Sequence, residues 1–347
     1  MAKLDQKKLE NTIQEASAKL KGTATSCAEH RTTSCAEHLA ISFCISSIIP
    51  NEWLIEEEKK WDKNLKKKTI KSEINELIVE GLKKSGLGYN ASNGQVRVMI
   101  NLNNYSFEIS NEPRFIFGRY FKYATPLSQS RWVSRKTGEK NYISIEEIIG
   151  EIIKKYSKCT NYFLHASGRE DVDVENHAGR PFVMELVNPK EDFSLEKITE
   201  DLEKDGRVLV KDLRNVKRGF VELVSTSHFD KTYVAEIECE KELSEDDLKK
   251  IKSLEGVMLE QKTPNRVMHR RADLERKRKI IKMEIEKQSG NSATISIEVE
   301  AGTYIKELIN GDEGRTKPSI SELLGCKVGC KKLIVKEIKD QFLDSVS

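Results

Sequence analysis

The sequence predicts an α+β protein in which a small α/β unit precedes a larger domain built on a mainly antiparallel sheet. Three observations carry this. Strand-like segments at 182–187, 233–239 and 295–301 are separated by helical patterns opened by the capping pairs Ser244/Asp247 and Ser319/Glu322. The sequence contains neither a P-loop nor a glycine-rich strand-to-helix turn, so a doubly wound nucleotide fold is set aside, along with ATP, NAD and methyl-donor cofactors. A length of 347 residues suits two domains rather than one.

Taken in order, the chain first repeats TSCAEH at 25–30 and 33–38, which gathers Cys27, His30, Cys35 and His38. A structural zinc site needs four such ligands, but two C-x-x-H pairs on a short connector are not a zinc spacing, so no metal is expected. Residues 39–49 are nearly apolar but too short to cross a hydrocarbon core of about 30 Å. They also lie behind a charged stretch, unlike a secretory signal, and a cytoplasmic protein is expected. Seven cysteines at irregular spacing, an odd number, do not form a disulfide framework.

A lysine-rich run at 60–71 leads into a helix with Ile70, Ile74, Leu77, Ile78 and Leu82 on one stripe. Val96, Val98, Ile100 and Leu102 then alternate, Asn103-Asn104 suits a tight turn, and Tyr105, Phe107 and Ile109 alternate on the return strand. Gly86-x-Gly88-x-x-Ala91 follows a helix where a dinucleotide loop must follow a strand, so it is not read as a cofactor site. Ser144 and Glu147 form a capping box ahead of the periodic Ile145, Ile148, Ile149, Ile152, Ile153 and Tyr156. A new domain is expected to begin here, giving residues 1–140 and 141–347.

Net charge is only +3, from 59 basic and 56 acidic side chains. The distribution says more. Between Lys262 and Lys279 stand eight Lys/Arg against Asp273 and Glu275. Such a stripe reads either as a solvated helix face or as a segment that neutralises phosphates. His165-Ala166-Ser167-Gly168-Arg169-Glu170-Asp171-Val172-Asp173-Val174 puts three carboxylates beside an arginine after a glycine. A carboxylate held near a cation in a partly buried site stays ionised and serves as base or nucleophile.

Gly168-Arg169-Glu170-Asp171 resembles the G-R-x-D motif of pseudouridine synthases, and GREDVDV with Gly179-Arg180-Pro181-Phe182 resembles one family, the archaeal/eukaryotic tRNA pseudouridine(54/55) synthases. Lys231-Thr232-Tyr233, QKTPNRVMHRRADLERKRK, EAGTYIKELINGDEGRTKPSI and FIFGRYFKYATPLSQSRW agree in order, so that the likeness covers roughly residues 105–335. The resemblance implies a cofactor-free isomerase acting on tRNA at T-loop uridine 55, with uridine 54 as a further position. It implies Asp171 as nucleophile and Arg169 as the residue that helps extrude the target nucleotide. By the same likeness Tyr233 stacks on the uracil, Tyr304 contacts substrate, and Lys306 pairs with the catalytic aspartate. Arg270, Arg271 and Lys317 are then expected on phosphates, and residues 1–140 as a reduced THUMP-like RNA-binding domain.

Two segments depart from that family. Its paired C-x-x-C elements after Trp132 are replaced by VSRKTGE, and its arginine- and glycine-containing loop after DVDV by Glu175-Asn176-His177-Ala178. A tRNA-binding protein that has lost turnover is therefore the alternative from another class. An RNA-modifying transferase would need a donor-binding loop that the sequence lacks.

Overall fold

The computed structural model describes residues 4–29, 42–59, 69–84, 86, 88–90, 96–131, 142–270 and 272–344. Packing divides the chain into two compact units, Met1–Pro113 with Val187–Lys190, and Arg114–Leu186 with Glu191–Ser347. The first contains α1 (Gln6–Glu29), β1 (Ser42–Ile48), α2 (Asn51–Lys59), α3 (Ile70–Lys83), β2 (Gly88–Tyr89), β3 (Val96–Asn101) and β4 (Ser106–Asn111). Its sheet runs β2-β1-β3-β4, with β1 parallel to both neighbours and β3/β4 an antiparallel hairpin.

The apolar stripe of α3 dictates this unit. Thr69 caps the helix, and Ile74, Ile78 and Leu82 are buried with Leu9, Ile13 and Leu20 of α1 against Phe43, Val98 and Ile100. Tyr105 differs from expectation: it lies in the β3–β4 turn with a left-handed φ of 57°, not on the return strand. The nearly apolar run at 39–49 contains strand β1, and its length fits a buried strand. Of the duplicated TSCAEH segment, residues 30–38 lie outside the described residues, whereas 25–29 fall on α1.

The second unit contains β5 (Arg114–Lys122), α4 (Ile145–Ser157), β6 (Asn161–Ala166), β7 (Glu175–Val187), α5 (Leu195–Asp205), β8 (Val208–Val216), α6 (Gly219–Thr226), β9 (Lys231–Cys239) and α7 (Glu245–Lys252). There follow β10 (Met258–Lys262), a 3-10 turn (Asn265–Arg270), β11 (Glu275–Ser289), β12 (Ser292–Val299), α8 (Ile305–Asn310), β13 (Thr316–Lys317), α9 (Ile320–Leu324) and β14 (Val328–Ile338). The sheet has 10 strands in the order β13-β10-β11-β12-β9-β14-β7-β5-β8, with β6 beside β7. Along that path β14/β7 is the parallel neighbour pair and the remaining pairs are antiparallel, as expected of an α+β domain.

Two apolar clusters hold this sheet. Ile145, Ile148, Ile149 and Ile153 of α4 pack with Ile198 and Leu202 of α5 on Ile116, Phe182, Met184 and Val210. The capping box of Ser144 and Glu147 forms as expected and starts α4 where its apolar stripe begins. Gly150 is required by packing, because a Cβ there would stand 2.1 Å from the Tyr162 ring. The second cluster joins Ala235, Ile237, Ile295, Ile297 and Val335 to Ile251 of α7 and Leu308 and Ile309 of α8.

The fold departs from the sequence reading at one boundary and decides one open alternative. Strand β5 is hydrogen-bonded between β7 and β8 inside the large sheet, so the division falls at Pro113/Arg114 rather than at 140/141. The basic stripe is not a helix face: it runs from Lys262, the last residue of β10, through the 3-10 turn to the start of β11, whose residues 275–279 pair with 258–262. Among the described residues no helix is long and apolar enough to cross a membrane.

Candidate active site

The loop between β6 and β7 carries the acidic segment, and its conformation follows from alternating demands on successive side chains. Gly168 turns the chain with a left-handed φ of 76°. Glu170 then points inward, where it accepts a hydrogen bond from Tyr120 Oη (2.7 Å) and lies 2.5 Å from Arg180 Nε, both partners being buried. Arg180 Nη1 also donates to the carbonyl of Ser167 at 2.7 Å. This inward ion pair leaves Asp171 half-buried and facing the other way, and Val174 closes the turn by donating its N–H to Asp171 O. Arg169 is exposed on the same loop.

Two cations face Asp171. Arg266 Nη1 lies 2.7 Å from Oδ2, and Lys306 Nζ stands 3.8 Å from the same oxygen. Lys306 pairs more closely with Asp173, at 2.6 Å and 2.7 Å to its two oxygens. The expected Lys306 partnership is therefore shared, and the tight contact on Asp171 comes from Arg266, which sequence reasoning had counted only as one charge in the basic stripe. Arg266 is itself anchored by Glu307 Oε1 at 2.7 Å from Nε. Burial works against its charge, but Glu307 and Asp171 outweigh burial and hold its proton more firmly than in a free guanidinium. Burial also pushes the Asp173 carboxyl up, yet Lys306 outweighs it and holds that carboxyl below its ordinary value.

Tyr233 lies on β9 opposite Ile297 and Val335 and packs against the second apolar cluster. Burial pushes its hydroxyl up to about 12; Arg180 pulls the other way, while the Glu170 and Asp171 carboxylates reinforce burial. The phenol is thus protonated at neutral pH and electrostatically coupled to the acidic loop. Tyr304 precedes α8, and buried Gln261 fixes its backbone at both ends, accepting from its N–H and donating to its carbonyl, each at 2.9 Å. Its hydroxyl accepts from Arg276 Nη1 at 3.0 Å.

The basic residues separate by strand alternation. Gln261 pairs with Arg276 and with Thr316, so these three share one face of the β13-β10-β11 edge. Lys317 pairs with Glu260, as does Lys277, and so belongs to the other face. Arg270 ends the 3-10 turn that carries Arg266, and Arg271 lies outside the described residues. A charged depression lined by Thr232, Lys282, Glu284, Ser296, Glu298, Lys336 and Glu337 lies on the sheet face opposite to Tyr233, because adjacent strand residues point opposite ways. Among the described residues no group of three or more His, Cys, Asp or Glu side chains could hold a metal ion.

Two lysines are buried behind the site. Lys122 donates from Nζ to the carbonyls of Asp171 and Val172, both at 2.9 Å. Burial pulls its ammonium down to about 8, against the Glu170, Asp173 and Asp171 carboxylates. Lys231 donates to Phe229 O at 2.7 Å and is likewise pulled down to about 8, by burial first and then by Arg180.

Similarity to known proteins covers the part of the chain that holds these residues. The tRNA pseudouridine synthase Pus10 of Methanocaldococcus jannaschii is 42% identical over 263 residues, which cover 71% of this chain and 58% of that protein. The protein of the same name from Thermoplasma acidophilum is 34% identical over 305 residues, 86% of this chain and 77% of that one. The chain thus spans less than two thirds of the M. jannaschii relative and more than two thirds of the T. acidophilum one. Among solved structures, a chain of a Cbf5–Nop10–Gar1 complex overlaps 64% of this chain and 48% of its own length, at 19% identity and a TM-score of 0.35. The family described as "Pus10, C-terminal" matches residues 115–339, a stretch that contains Asp171, Tyr233, Arg266, Tyr304 and Lys306. On that match, over most of its length, this chain belongs to the Pus10 C-terminal family.

Proposed function

We propose that this chain is a tRNA pseudouridine synthase that isomerises uridine 55 of the T-loop, with uridine 54 as a second position, through Asp171. The observation that carries the proposal is the pairing of the half-buried Asp171 carboxylate with Arg266, with Lys306 facing the same oxygen. Two cations on one oxygen of a carboxylate fix where that carboxylate stands, as a covalent catalyst requires.

The conversion breaks the bond between uracil N1 and ribose C1′, turns the base, and joins C5 to C1′. C5 gives up one proton and N1 gains one, so atoms and charge balance without any redox change. In this reading Asp171 forms the transient covalent bond to the nucleotide. Arg169, on the same loop, holds the backbone of the extruded nucleotide. Tyr233 stacks on the base, and its protonated hydroxyl is a donor at neutral pH. Tyr304, fixed by Gln261, contacts the substrate from the other side. Arg270 and Arg271 bind RNA phosphates, Lys317 does so from the other face of the β13-β10-β11 edge, and Arg276 adds a cation beside Tyr304. The first unit serves as the accessory RNA-binding domain, with a reduced THUMP-like role. The setting is the cytoplasm, with tRNA as the partner and no cofactor in the reaction.

The test is pseudouridine mapping on an unmodified tRNA transcript with wild type and Asp171→Asn. The proposal expects modification in the T-loop by wild type, and tRNA binding without modification by Asp171→Asn. Wild type that binds tRNA and forms no pseudouridine would refute it in favour of a binding protein on this scaffold.

A further inference from the structure

Lys122 is fully buried at the end of β5, opposite Asn176 of β7 and Val208 of β8. A lysine in that position is chemically costly, since a methionine would fill the same space without an ammonium to desolvate. The ammonium makes two hydrogen bonds of equal length, to the consecutive carbonyls of Asp171 and Val172. Two adjacent carbonyls held by one nitrogen fix the peptide plane between them, and that plane sets the direction of the Asp171 Cα–Cβ bond. Leu127 N–H adds a second donor to Val172 O at 3.1 Å.

The rest of the loop is tied in the same manner. Arg180 holds Ser167 O, and the buried Gln129 donates to Gly168 O at 3.0 Å and to Tyr120 Oη at 2.9 Å. Three buried side chains therefore bind four carbonyls of the segment 167–172 from below, while Arg266 and Lys306 meet the Asp171 carboxylate.

Resting on the reading of Asp171 as nucleophile, we infer that Lys122 is a positioning residue of the isomerisation, its ammonium holding the Asp171–Val172 peptide so that the carboxylate is aimed at the extruded nucleotide. Lys122 touches no substrate. Its effect passes through the backbone of Asp171, and its burial is explained by that task rather than by packing. The charges facing it are Glu170, Asp171 and Asp173 on the loop and Arg180 on β7.

The experiment compares full-length wild type, Lys122→Met and Lys122→Ala in single-turnover pseudouridine formation on an unmodified tRNA transcript, with tRNA affinity measured beside it. Misplacement of a reacting group by about 1 Å costs about 100-fold in rate. Lys122→Met is expected to lose about that factor in rate while binding tRNA within about threefold of wild type. Added propylamine is expected to restore about tenfold of the rate to Lys122→Ala, by returning an ammonium to the cavity, whereas propanol is not. A purely structural lysine would not produce that selective rescue. An active wild type with Lys122→Met slowed by less than about threefold overturns the inference alone, as does a rate loss that only tracks lost tRNA binding. A wild type that forms no pseudouridine overturns the functional reading, and this inference with it.

Discussion

Two buried lysines give the second unit a stability that should rise with pH. Lys122 has its ammonium pulled from the ordinary 10.5 to about 8 by burial, and Lys231 is pulled down equally far. Below pH 8 folded and unfolded chains both carry these protons, and the folded state bears the whole desolvation cost. Above pH 8 the folded lysines release their protons while the unfolded ones keep them up to about 10.5, so the unfolded chain binds more protons and unfolding becomes harder. Integrated from about pH 7 to about pH 10, each lysine contributes about 2.5 kcal/mol of added stability, and the pair about 5 kcal/mol. Above pH 10 the gain is opposed by Tyr233, whose hydroxyl is held up to about 12 and so keeps a proton that the unfolded chain has lost. The perturbation is Lys122→Met. Urea unfolding followed by circular dichroism, at both pH values and for both proteins, gives the difference of differences, in which titrations common to the two cancel. The variant should gain about 2.5 kcal/mol less than wild type between the two pH values. Equal gains would refute the reasoning and place the folded Lys122 near its ordinary value.

Further expectations concern single side chains. Arg266→Met should slow pseudouridine formation by about 100-fold with a smaller loss of tRNA affinity, measured by single turnover; an unchanged rate would show that Lys306 alone serves Asp171. Asp173→Asn should cost less than about tenfold in the same assay, because it removes the closer partner of Lys306 but leaves the Arg266–Asp171 pair; a loss as complete as that of Asp171→Asn would transfer the nucleophile to Asp173. Gly150→Ala should lower stability by about 1–3 kcal/mol, read in thermal denaturation, since the new methyl group meets the Tyr162 ring; a neutral result would mean that α4 slides freely on β6.

Elements whose residues alternate or cap locally were legible in the sequence. Ser144, Ser244 and Ser319 cap helices where their spacing predicts, and the stripe of α3 faces the core. Strand β5 escaped because residues 115–118 are buried on both faces in the middle of a sheet, which erases the period of two. Strands β10 and β11 escaped because their charges suggest a helix face, and their pairing depends on a partner across a turn. In the candidate site the acidic loop and both tyrosines were visible through resemblance to a family. The contacts on Asp171 were not, since Arg266 reaches it only after the β10–β11 connection folds back, and Lys122 only after β5 enters the sheet. A buried lysine and a surface lysine look alike in a sequence without the packing around them.

The two ends of the large sheet limit how another chain could pair with it. An open sheet offers unpaired backbone groups along its outermost strands, a template on which another chain could add. At one end β13 is two residues long, carries the exposed Lys317 and stops at Pro318, which has no N–H to offer. At the other end β8 is interrupted by Asp212 in the left-handed conformation, where its register against β5 shifts. Neither border is a continuous straight edge, so a ten-stranded sheet with an apolar interior is guarded at both sides against growing into an aggregate.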